Sequence, residues 1–122
     1  VARILIVDDE PANRLLVKTI LEHAGHQVAE AADAAQALHE AREHAPDLAI
    51  VDLHLPETSG VELVQMFRRD PQTSTMRIAL YTGSTVDAAM RDFMAVNRIE
   101  HVIPKPCEPQ ELISAVAQIV SW

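Results

Sequence analysis

Residues 2–11 read ARILIVDDEP. The run from Arg3 to Val7 is short and almost unbroken in its apolar character, which is what a strand covered on both faces requires. Asp8 and Asp9 stand where that strand ends, and Pro11 favours a helix start, because its missing N–H is harmless in a first turn.

Outward from this stretch the pattern repeats. A helix is predicted over 11–24, with Leu15, Leu16, Ile20 and Leu21 at helical spacing and Gly25 as its stop. A second strand spans 27–30. Asp33 caps a helix over 34–44, with Leu38 and Ala41 turned inward, and Pro46 prevents its continuation. A third strand follows at 47–51, a loop at 52–59, and Gly60 leads into a helix over 61–69 whose stripe is Leu63, Val64 and Phe67. The Asp70-Pro71 pair closes it. The remaining elements are a strand at 77–81, a helix at 86–96 carrying Met90, Phe93 and Met94, a strand at 101–103, and a helix at 109–120 with Leu112, Val116 and Ile119 on one face.

Five strand–helix pairs, with no internal repeat, predict an α/β domain with helices on both faces of a parallel sheet. In the strand order 2-1-3-4-5 the fifth strand is an edge, where Pro104 is tolerated although it cannot donate to a ladder.

Composition narrows the function classes. The 122 residues carry 10 Lys and Arg against 18 Asp and Glu, a formal charge of −8, which argues against direct nucleic-acid binding through clustered cations. No apolar run reaches the roughly 20 residues that span a bilayer, so no membrane partner is expected. The single cysteine, Cys107, excludes an intramolecular disulfide and suits a reducing compartment, so the expected location is cytoplasmic. The chain starts on Val1 rather than Met and reads as a domain excised from a longer protein.

In an open parallel sheet the carboxyl ends of the strands share one edge, so Asp8, Asp9, Asp52 and Lys105 are expected to converge there. Three carboxylates in one pocket repel each other, and a divalent cation relieves that repulsion. Mg²⁺ fits oxygen ligands of this kind best. Asp52 is the candidate nucleophile, since a carboxylate can accept a phosphoryl group. Lys105 supplies positive charge opposite the acids, and Thr82 a hydroxyl at the end of its strand.

Asp8-Asp9, Asp52 followed by Pro56 and Gly60, Thr82-Gly83 and Lys105-Pro106 together resemble the receiver domain of two-component response regulators, over essentially the whole chain. The resemblance implies a flavodoxin-like (βα)5 doubly wound sandwich in the order 2-1-3-4-5, with residues 1–122 as a single receiver domain. It implies Mg²⁺-dependent transfer from a phosphohistidine, on a histidine kinase or histidine phosphotransfer domain, to Asp52. Self-catalysed phosphotransfer and slow autodephosphorylation come with it.

The same resemblance makes Asp8, Asp9, Asp52 and the His54 backbone carbonyl metal ligands. It makes Thr82, Gly83, Lys105 and Leu53 phosphate-binding, and Asp52, Lys105 and Thr82 catalytic. It further implies a cis Lys105–Pro106 bond, a tuning position for phosphoryl lifetime at Ser84, and a readout through the surface of helix four, strand five and helix five. A covalently linked kinase or output domain is an expected partner, and a homodimer is left open.

Val102 departs from the family, which often has Tyr or Phe there, so the aromatic half of the usual switch is missing. Two other readings compete. One is a pseudo-receiver that binds partners without phosphotransfer; the intact Asp9, Asp52, Thr82 and Lys105 argue against it. The other is a Mg²⁺-dependent phosphohydrolase, which would prefer a second aspartate two positions after the nucleophile, where His54 stands. The six histidines are scattered and read as solvated or packing residues, and Cys107 as a small packing residue with no base beside it.

Overall fold

A computed structural model describes residues 1–55, 57–83 and 85–121, so the expectations placed on Pro56 and Ser84 lie outside the described residues, as does Trp122. Strands and helices alternate without exception: β1 (Arg3–Val7), α1 (Pro11–His23), β2 (Gln27–Ala31), α2 (Ala34–His44), β3 (Leu48–Asp52), α3 (Gly60–Arg69), β4 (Arg77–Thr82), α4 (Ala88–Val96), β5 (His101–Pro104) and α5 (Pro109–Ile119). All four pairings are parallel, and the sheet order is β2-β1-β3-β4-β5. The central strand β3 is buried along its whole length, as a strand with helices on both faces must be.

Strand alternation divides the interior into two cores. Leu5, Val7, Ala49, Val51, Ile78 and Leu80 pack with α2 and α3 through Ala37, Ala41, Leu63, Val64 and Phe67. Ile4, Ile6, Leu48, Ile50, Ala79 and Ile103 pack on the other face with Val17 and Leu21 of α1 and Leu112, Val116 and Ile119 of α5. Phe67 is fully buried; truncating such a residue to alanine costs about 3–5 kcal/mol.

The helix ends follow their sequence signals. Asp33 accepts a hydrogen bond from the Gln36 N–H at 2.8 Å, and Ser59 accepts one from the Glu62 N–H at 3.2 Å. Gly25, at φ 98°, occupies a left-handed turn after α1, and α2 stops at Ala45, whose φ is 44°. Pro104 sits in the edge strand as its chemistry demands, paired with Thr82. The Lys105–Pro106 peptide bond is cis.

Beyond one-residue shifts at the ends of other elements, four sequence expectations need correction. Asp52 is the last residue of β3, not the first of a loop, and Thr82 belongs to β4; in both cases the ladder runs one residue further, through Asp52↔Tyr81 and Thr82↔Pro104. Helix α4 begins at Ala88, two residues late, because Asp87 caps it by accepting from the Met90 N–H. On α1 the buried residues are Val17 and Leu21, while Leu15 and Leu16 are 59% and 56% exposed. That helix carries apolar residues around much of its circumference, so periodicity alone cannot select the face that the sheet covers.

Candidate phosphoacceptor and cation site

The sheet positions the acids by parity. Asp52 follows Ile50 on β3 and so points toward the α1 and α5 side. The Asp8 N–H still donates to the Ala31 carbonyl at 3.1 Å, so the β1 ladder geometry carries through Asp8, two residues after Ile6. Both acids end up buried, Asp8 at 0% and Asp52 at 4% exposure, whereas Asp9 is exposed. Thr82, also buried, falls on the opposite parity of β4.

Burying a carboxylate is costly unless its oxygens find donors. Asp8 Oδ1 accepts from the Glu10 N–H at 2.9 Å, and Oδ2 from the Asn13 amide and from Lys105 Nζ at 3.4 Å. Asp52 Oδ1 accepts from the His54 N–H at 2.9 Å, and Oδ2 from Lys105 Nζ at 3.0 Å. Arg14 fixes the backbone beneath, donating to the Asp8 carbonyl at 2.8 Å. Burial by itself works against the Lys105 ammonium, but the hydrogen bond and field of Asp52, and then those of Asp8, outweigh it and raise its pKa.

Asp8, Asp9 and Asp52 each bring a carboxylate oxygen within 4.8 Å of the others. Three acids thus face one ammonium, and the excess negative charge is the electrostatic condition for holding a cation. The donors are hard oxygens, two of them anchored at a rigid sheet edge. This set fits Mg²⁺, which needs only one or two carboxylates and completes its shell with water and phosphate oxygen.

The loops beside the acids are closely packed. The Lys105 N–H donates to the Thr82 carbonyl at 3.1 Å. A Cβ on Gly83 would lie 2.8 Å from the Lys105 carbonyl oxygen, so glycine here serves the approach of two backbones, beyond the phosphate-binding role that the resemblance implies. Gly60 serves a similar approach: its N–H donates to the Leu53 carbonyl at 3.0 Å, and its Cβ would collide with the Asp52 backbone.

Of the sequence candidates, Asp8, Asp9, Asp52 and Lys105 meet directly. Thr82 and Gly83 adjoin Lys105 through the backbone, and His54 meets Asp52 through its N–H. Leu53 is buried, and its carbonyl accepts from the Gly60 N–H. Sequence reasoning missed Asn13, Arg14 and Tyr81. Lys105 Nζ lies 5.3 Å from the centre of the Tyr81 ring. Cys107 packs against the α1 and α5 core, and burial, with Glu111 and Glu108, raises its thiol pKa, as expected for an unreactive packing residue. A groove of about 690 Å³ runs along the β2 edge, from Arg3, Gln27 and Pro46 to Lys18 and Glu30, and Asp8, Asp9 and Asp52 do not line it.

Comparisons with known proteins agree with this geometry. The family model described as the response regulator receiver domain matches residues 4–117. The phosphate regulon transcriptional regulatory protein PhoB of Pseudomonas aeruginosa is 33% identical over 117 residues, 96% of this chain and 51% of that protein. The sensor protein EvgS of Escherichia coli O157:H7 is 30% identical over 84% of the chain and 10% of its own length. Among solved structures, the Vibrio cholerae chemotaxis protein CheY4 superposes with a TM-score of 0.91 at 28% identity, covering 98% of both chains. The chain spans about half the length of PhoB and of the similar regulator MtrA from Mycolicibacterium smegmatis. With an acid cluster and lysine at the carboxyl edge of a 2-1-3-4-5 sheet, and a family match along nearly all its length, this chain belongs to the response regulator receiver domains of two-component systems.

Proposed function

We propose that residues 1–122 form one phosphoacceptor domain, in which Asp52 takes a phosphoryl group from a phosphohistidine on a histidine kinase or histidine phosphotransfer domain. The observation that carries this reading is Lys105 Nζ held 3.0 Å from Asp52 Oδ2, beside the Asp8 and Asp9 carboxylates. An Asp52 oxygen forms the new O–P bond as the P–N bond to the donor imidazole breaks, and the electron pair of that bond stays with the imidazole. Lys105 meets the charge on the phosphoryl oxygens. The Thr82 hydroxyl and the backbone at Leu53 and Gly83 hold the same oxygens.

Mg²⁺, held by Asp8, Asp9, Asp52 and the His54 carbonyl, would supply charge neutralisation to the acids and the phosphoryl group. Slow autodephosphorylation follows from the same residues. The arrival of a dianionic group biases the surface of α4, β5 and α5. Val102 is half-buried against the core that Met90, Phe93 and Met94 of α4 also join, so this readout proceeds by aliphatic packing without a swinging ring at that position. A linked kinase or output domain, or a second copy of the chain, receives it. The lone Cys107 supports work in a reducing, cytoplasmic compartment; among the described residues no helix is long and apolar enough to cross a membrane.

A pseudo-receiver is disfavoured by the intact acid–lysine set, and a phosphohydrolase by His54, which offers Asp52 a backbone N–H and no second carboxylate. The test is intact mass after incubation with a small phosphodonor and Mg²⁺. One phosphoryl group is expected on the native protein and none on Asp52→Asn. An adduct that persists on the mutant, or no adduct on the native chain, removes this reading, and rapid turnover of ordinary phosphomonoesters would favour the hydrolase.

A further inference from the structure

Tyr81 interrupts an aliphatic strand, Ile78-Ala79-Leu80, at the position directly beside Asp52 in the β3–β4 ladder. Its neighbour on the other side is Ile103, two residues before Lys105. Partners in a parallel ladder project to the same face, so the ring lies in one row with the nucleophile and under the lysine. It is 5% exposed and packs in the α1 and α5 core.

An aliphatic side chain would fill this space without burying a phenol. The phenol pKa is raised by burial, with the Lys105 charge and a hydrogen bond from Asn13 acting the other way. What a Leu or Val could not offer is the face of a π system. Lys105 Nζ stands 5.3 Å from the ring centre, within the roughly 6 Å range of cation–π attraction. The ammonium is therefore held on one side by Asp52 and Asp8 and on another by the ring. Asn13 holds the other partner of the ammonium, because its amide donates to Asp8 Oδ2.

We propose that Tyr81 is a positioning residue for phosphoryl transfer: its ring face holds the Lys105 ammonium in register with Asp52, so that the long lysine side chain is already ordered when the phosphoryl group arrives. The proposal rests on the phosphoacceptor reading for its consequence, though the contact stands without it. A lysine stem has four rotatable carbons and loses much rotamer freedom when fixed. A ring that narrows those rotamers beforehand acts on the transfer step, where Lys105 meets developing charge, and leaves donor binding nearly unchanged.

The contact can be read directly by NMR. In the native protein the Lys105 ε-methylene protons are expected upfield of their ordinary position because the Nζ they adjoin stands over the ring, in Tyr81→Phe they stay upfield, and in Tyr81→Leu they return. Ordinary shifts in the native protein overturn the proposal, whatever the variants do. Kinetics with a small phosphodonor and Mg²⁺ read the consequence. Tyr81→Leu should lower the maximal rate of Asp52 phosphorylation roughly two- to thirty-fold, the range that cation–π energies convert to. Half-saturation by donor and by Mg²⁺ should move less than about two-fold, and Tyr81→Phe should recover the rate.

In a Lys105→Met background the same Tyr81→Leu change should have no further effect, since the ring acts through the lysine. Losses that multiply in the double variant, or an unchanged rate in a folded Tyr81→Leu protein, overturn the positioning role. A native protein that takes up no phosphoryl group removes the function reading instead, and the methylene shift still decides the contact.

Discussion

Gly60 and Asp52 are in backbone contact so close that a Cβ on the glycine would sit 2.5 Å from the Asp52 carbonyl oxygen and 2.7 Å from the Leu53 Cα. The first residue of α3 thereby sets the end of β3, and with it the height of the Asp52 carboxylate above the sheet. Gly60→Ala is expected to destabilise the domain by about 1–3 kcal/mol, the usual cost of overpacking a rigid contact. It should also slow Asp52 phosphorylation, since the backbone that must yield carries the nucleophile. Urea unfolding and intact-mass kinetics on the same preparation check both effects, and an alanine variant of native stability would contradict the contact.

The three carboxylates should couple folding to a divalent cation. A ligand that binds only the folded state stabilises it by mass action, by about 2.7 kcal/mol at one hundred times its dissociation constant. Mg²⁺ is expected to raise the melting temperature of the native protein in a saturable way, with a smaller rise in Asp9→Asn and in Asp8→Asn. Thermal melts at matched ionic strength separate this from screening, and an equal rise in all three proteins would exclude the acid cluster as the binding site.

His26 gives the fold a pH dependence far from the acids. Its Nδ1 accepts a hydrogen bond from the Ala2 N–H at 3.1 Å, which requires the unprotonated nitrogen. Burial, with the amino terminus adding repulsion, lowers its pKa from the ordinary 6.5. Because the folded value is the lower one, the unfolded chain binds the proton more readily, and stability rises with pH across the interval between the two values. The contribution is complete above about 6.5 and is lost as the pH falls through the folded value. Urea midpoints between neutral and mildly acidic pH should fall more steeply for the native protein than for His26→Gln; parallel curves would rule this out.

Ala45 ends α2 in the left-handed region, at φ 44°, a conformation that costs an L-residue with a Cβ about 1–2 kcal/mol. Glycine removes that strain while adding freedom to the unfolded chain. Ala45→Gly should therefore stabilise the protein by up to about 1 kcal/mol, seen as a higher urea midpoint with an unchanged slope.

Much of this architecture is legible in the sequence because its signals are local. Apolar runs flanked by turn residues predict most of the strands, and a polar group at the end of such a run survives an error of one residue, as Asp52 and Thr82 show. Asp33 as a cap and Leu63, Val64 and Phe67 as a stripe need no knowledge of the rest of the chain. The face of α1 is different, because Leu15, Leu16, Val17 and Leu21 are all apolar and only the sheet decides which two are covered. Asn13 and Tyr81 escape for a related reason: a tyrosine in a strand reads as an ordinary β-former, and its place beside Asp52 exists only once the β3–β4 register is set.

The sheet that separates the two cores also stands between the nucleophile and the α4 part of its proposed readout. Asp8, Asp52 and Tyr81 stand on the α1 and α5 side, whereas Thr82, Val102 and the half-buried residues of α4 belong to the other, and the two buried clusters share no residue. Under the proposed function a change at Asp52 therefore reaches α4 only by crossing the five strands of backbone between them.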